Sequence, residues 1–152
     1  MTVFTTAGTV IAISASNPAT FDQSGYAALS YTGIGEVTDL GEFGREYNEV
    51  THNPIGTRGT KKLKGSFNEG TLALQVGLDT DDAGQDLLYT ASGSDNDYSF
   101  KVTAQNGDVY YFQAKVMSFK RAFGGVDQIT SATINLSITT SNSGVGVVIV
   151  ES

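Results

Sequence analysis

The chain has no cysteine and no tryptophan, and only one histidine and two prolines in 152 residues. Without cysteine there is no disulfide framework, no thiolate metal site and no cysteine nucleophile. A single histidine, His52, excludes a multi-histidine metal cluster, and its neighbours Thr51, Asn53 and Pro54 read as a solvated loop. No nucleophile-elbow pattern such as G-x-S-x-G accompanies it. Charged residues make up only 16% of the chain, below the usual quarter. Bases are the scarcer sign: nine Lys and Arg against 16 Asp and Glu, a formal charge of −7. Gripping nucleic acid needs clustered bases, so an acidic chain is a poor candidate for it. The first basic residue is Arg45 and the early apolar run is only Val10–Ile13, so neither a secretory signal nor a membrane span is expected. The length suits one domain, residues 1–152.

What is present is period-two alternation. Leu72, Leu74, Val76 and Leu78 alternate with Thr71, Ala73, Gln75 and Gly77, the pattern of a half-buried strand. Tyr98, Phe100 and Val102 form a second run, and Tyr110, Phe112, Ala114 and Val116 a third. Asn106-Gly107 between them predicts a type I′ hairpin turn, whose two central residues need positive φ. Ala132, Ile134, Leu136 and Ile138 form a fourth run. Weaker strand signals lie at 9–15, 35–40 and 61–68. One segment reads as helix: Ala83–Ala91, opened by Asp79, Asp81 and Asp82 and closed by Gly93. The same acids do not make a calcium loop, because Thr90 stands where a bidentate Glu is required. The expected fold is mainly β, an antiparallel sandwich or barrel with one short helix packed on it.

Two segments do not suit an isolated monomer. Residues 41–62 form a long, charged, turn-rich stretch with Glu42, Arg45, Glu46 and Glu49 on one limb and Arg58, Lys61 and Lys62 on the other. Such a length is usually functional or disordered in a compact domain. Acid on one limb and base on the other fits head-to-tail docking between identical copies or a solvated two-sided hairpin. The tail from Val145 through Val147, Val148, Ile149 and Val150 is apolar on both faces. It needs to be a central strand of its own sheet or a strand completed across a subunit boundary.

The order from Gly59 to Gly124 carries a resemblance. Gly65-Ser-Phe67 leads through Glu69-Gly70 into Thr71–Val76, then the Asp-rich helix start with Gly84-Gln85-Asp86-Leu87-Leu88. Tyr98–Val102, the Asn106-Gly107 turn, Val109–Phe112 and Ala114-Lys-Val116-Met-Ser118 follow. This layout resembles the tail tube proteins of long, flexible-tailed bacteriophages, the group that includes the phage lambda tube subunit. In that family a strand, a helix, an "x-Phe-Pro-Asn-Gly-Thr" hairpin and a "Gly-x-Val-x-Ser" strand come in the same order. This chain lacks the proline at the hairpin and has Ala114 in place of the glycine.

The resemblance implies a structural virion protein without cofactors. Copies would form six-membered rings whose sheets join into one inner barrel, stacked into a tube that conducts the genome during ejection. Assembly would take place in the host bacterial cytoplasm, with tape-measure, terminator and tail-tip proteins as partners. Residues 41–62 would contact the next ring. Strand parity makes Thr71, Gln75 and Asp79 the candidates to face the channel. A rival reading is a β-sandwich module for capsid decoration or glycan binding, with Tyr26, Tyr31, Tyr110 and Tyr111 lining a sugar site. An enzyme is disfavoured for want of a catalytic group.

Overall fold

The computed structural model describes residues 3–151. Alternation becomes strand wherever one residue in two has a core to enter. In chain order the elements are β1 (Val10–Ser14), α1 (Gln23–Ala27), β2 (Thr32–Gly33), β3 (Val37–Asp39), β4 (Glu46–His52) and β5 (Lys61–Asn68). There follow β6 (Thr71–Gly77), α2 (Ala83–Ser92), β7 (Tyr98–Thr103), β8 (Val109–Ala122), β9 (Ser131–Thr139) and β10 (Val148–Val150). All strand pairs are antiparallel. One sheet runs in the order β2-β1-β7-β8-β9-β6-β3, with β10 added to β8, and β4 pairs with β5 alone. The large sheet curls into a half-barrel.

The core lies inside the curl. Leu72, Leu74 and Val76 of β6 stand opposite Leu136, Ile134 and Ala132 of β9, all fully buried. Phe100 and Phe112 stack at 5.4 Å, and Leu88 and Ala91 bring one face of α2 onto the same cluster. This is the expected inward set, and burying a side chain of this size contributes roughly 1.5–3 kcal/mol. The helix boundary also follows local chemistry. Asp82 caps α2 by accepting from the Gln85 amide at 3.0 Å, and Gly93 ends it.

Three features depart from the sequence reading. A second helix, α1, is capped by Asp22, whose carboxylate accepts from the Gly25 amide at 2.9 Å. That bond holds the Asp22 carboxyl below the usual carboxylate range. Five residues give too little periodicity to register as a helix in sequence. The β7–β8 turn is not type I′: Gly107 alone has positive φ (+96°) and Asn106 does not. The Gly107 amide donates to the Ala104 carbonyl and the Ala104 amide to the Asp108 carbonyl, giving the longer loop that ends in a left-handed glycine. Finally, β8 is buried on both faces near its start. Tyr111 and Gln113, expected on an outer face, are covered by the segment around α1, where Tyr26 stacks on Tyr111 at 5.4 Å and Gln113 donates to Asn17. Among the described residues no helix is long and apolar enough to cross a membrane.

Candidate assembly surfaces

Residues 41–62, read as a long loop, instead supply most of a two-stranded arm. β4 and β5 pair from Glu46↔Asn68 at the base to His52↔Lys61 near the tip, with a bulge between Tyr47 and Glu49. His52 is therefore a strand residue, and exposed. The sequence hid β4 because neither of its faces is buried: all seven residues are exposed, so no alternation is imposed. Glu49 and Lys62 make one solvent-facing ion pair at 3.6 Å. Arg58 lies in the turn, and Glu42 on the approach to the arm.

The arm is fixed at its root by a buried acid, Glu69, at a position where Asn68-Glu69-Gly70 has the composition of a turn. Glu69 is 3% exposed, and one of its oxygens accepts from Arg45 Nε at 2.8 Å and Nη2 at 2.7 Å. The Arg45 guanidinium lies over the Phe67 ring at 3.8 Å and also reaches the Tyr47 hydroxyl. Hydrogen bonds to Tyr47 and Glu69 raise its pKa further. Gly146 roofs the acid: a Cβ there would fall 2.2 Å from the Glu69 carboxyl carbon. No periodicity signal marks such a residue, because Asn-Glu-Gly reads as surface turn.

The tail splits. Val148, Ile149 and Val150 pair with Tyr111, Tyr110 and Val109 of β8, continuing the line that β9 leaves at Thr139. Val145 closes a turn onto Ser141, and Val147 is half-buried. The strand thus joins its own sheet, and among the described residues it pairs on one side only. Ile149 is exposed and, with Val147, Phe43, Tyr110, Arg45 and Glu69, lines an open groove of about 540 Å³.

The outer face of β6, β9 and the second half of β8 is uncovered and mostly neutral. Cross-strand rows run Thr71–Ser137–Lys115, Ala73–Asn135–Ser118 and Gln75–Thr133–Lys120. Thr71 and Gln75 share this face, whereas Asp79 lies beyond the end of β6, where its carboxylate accepts from the Asp81 amide. Lys115 is ion-paired with Asp97.

The tyrosines do not form an open binding platform. Tyr26 is buried, stacked on Tyr111, and its backbone carbonyl accepts from the Tyr31 hydroxyl at 3.0 Å. Burial pushes the Tyr26 phenol up to about 12, and Tyr31 is raised as well, first by burial and then by the neighbouring Tyr111. Three of the four rings considered for sugar binding are thus packed on one another.

No family model and no curated protein sequence matches the chain. Its fold is that of tube and tube-terminator proteins in phage tails and contractile injection systems. A sheath/tube terminator of an extracellular contractile injection system, PVC, superposes with a TM-score of 0.67 at 10% identity over 99% of each chain. The SPP1 tail tube superposes at 0.63 with 16% identity, over 95% of this chain and 77% of that one. The tube-terminating cap of the anti-feeding prophage superposes at 0.60 with 11% identity, over 100% and 93%.

Proposed function

We propose that the chain is a structural subunit of a bacteriophage tail tube, six copies forming a ring and rings stacking around a channel for the genome. The observation that carries this is the half-barrel, which leaves a polar sheet face uncovered and ends in short strands, β2 and β3, with β10 open on one side. Ring closure seals such edges, since each subunit pairs with the next. In the ring, the Thr71 and Gln75 face lines the channel. Duplex DNA carries about one charge per 1.7 Å, and this face offers it mainly hydroxyls and amides beside two lysines, Lys120 and the Asp97-paired Lys115, a weaker hold than a densely basic wall. The outer edge of β10, with Val145 and Val147–Val150, meets the neighbouring subunit, and the arm meets the next ring.

In this reading the protein is a virion component, without catalytic chemistry, assembled in the host cytoplasm with tape-measure, terminator and tail-tip proteins. Negative-stain microscopy of concentrated protein tests it: stacked rings with a central channel are expected, and persistent discrete particles overturn it. A second reading, a tube terminator, is favoured by the full-length superposition on the PVC terminator. Its signature is assembly that stops at one ring.

A further inference from the structure

The arm is lopsided in charge and incompletely covered. Residues 45–68 carry five bases and two acids, a net of +3 against −7 for the whole chain, which leaves −10 on the remainder. On one arm face Val50 pairs across with Leu63, and Ile55 stands in the turn, all three exposed. Lys61 shares their face and Arg58 lies in the same turn as Ile55, whereas Lys62 and Lys64 stand on the opposite face, paired with Glu49 and lying over the Tyr47 ring respectively. A lone two-stranded hairpin is marginally stable in water, so such an arm gains from a partner.

A surface of opposite character lies at the other end of the sheet. The β8–β9 loop exposes Phe123, Val126 and Ile129. It is tied down where the Leu78 amide donates to the Thr130 carbonyl at 2.9 Å. Glu36 and Ile129 flank Gly77, each within 3.8 Å of where its Cβ would stand, and Asp79, Asp81 and Asp127 lie close by in sequence. Arg121, the base closest to the loop in sequence, lies over the Tyr89 and Phe119 rings. Glu36 is the only non-glycine described residue with positive φ, +59°. Its backbone is held there by the Gly77 amide, which donates to the Glu36 carbonyl at 2.7 Å, in a conformation that costs a glutamate more than a glycine.

The arm leaves the body beside Thr71, and this patch sits beyond Gly77, at the opposite end of β6, about 20 Å away. We infer that the arm of one copy docks, through Val50, Leu63 and Ile55 with Lys61 and Arg58 beside them, on the acid-rimmed Phe123–Ile129 end of a second copy. The inference rests on the tube reading and names the surface that receives the arm. Donor and receiver lie at opposite ends, so the contact is head-to-tail and extends without closing on itself.

Charge reversal tests it on the full chain. Arg58→Glu with Lys61→Glu on the arm, and Glu36→Lys with Asp127→Lys on the receiver, should each leave rings but lose tubes. All four together should restore tubes. Glu36→Gly should keep or raise Tm while shortening tubes, a result that misfolding does not produce. Because the chain lacks cysteine, Ile55→Cys and Val126→Cys provide a clean cross-link, expected between copies only when both are present. If the receiver variant stacks like the wild type, or the fourfold variant stays as rings, the receiver is wrong while the tube reading stands. If the wild type itself never forms rings, the tube reading falls and takes the receiver with it.

Discussion

At the residue scale the telling groups are polar ones placed where water is scarce. Among the described residues Arg45 is the one charged group within salt-bridge distance of Glu69, and both contacts fall on one oxygen. Exposed ion pairs contribute little, but a buried carboxylate left without its donor is costly. Arg45→Ala is therefore expected to lower Tm more than Lys62→Ala, which breaks only the surface pair with Glu49. Glu69→Gln, which keeps an acceptor, should fall between them. Thermal unfolding of the three variants checks the order. Tyr26 sets a limit on the alkaline side. Its folded pKa is raised to about 12, from the ordinary value of 10, by burial. The unfolded chain therefore ionises first, and the stability held below about pH 10 is lost as pH rises towards 12. Tyr26→Phe should flatten that fall in a pH series of Tm.

At the element scale, one side chain joins three segments around the start of α2. Gln85 is buried; its amide nitrogen donates to the Gly35 and Gly77 carbonyls, at 3.0 and 2.9 Å, and its oxygen accepts from the Asp79 amide at 2.9 Å. Asp82 adds a bond to the Gly35 amide at 3.1 Å. Gln85→Leu would strand these backbone groups, at about 1–3 kcal/mol for each one left unsatisfied. A fall in Tm of several degrees, with far-ultraviolet circular dichroism intact, is the expected result. The alternation of Leu72–Val76 and Ala132–Ile138 made β6 and β9 legible, because one face of each is fully buried. β4 and α1 were not legible, since the first buries neither face and the second is too short to repeat.

At the scale of the whole molecule, the tube reading predicts how cargo meets the wall. At about 0.15 M salt, charge acts over roughly 8 Å, so only residues on the channel face matter to DNA that fills the bore. Thr71→Lys with Gln75→Lys adds two bases per copy to a face that already carries Lys120 and the Asp97-paired Lys115. Tubes should still form, and genome release measured by dye uptake should slow. Release at the wild-type rate would show that this face does not line the channel.

Composition and alternation determined the inward rows of β6 and β9, where α2 begins and ends, and that the chemistry of a thiol or a metal-binding histidine cluster is absent. These depend on local patterns, because burial of one face imposes a period that single residues report. The tertiary structure alone decided that Glu69 is buried beneath Gly146, that β10 returns to β8, and that the basic arm and the acid-rimmed loop stand at opposite ends of one strand. Each of those facts depends on which distant segments the fold brings together or holds apart, and no spacing along the chain encodes it.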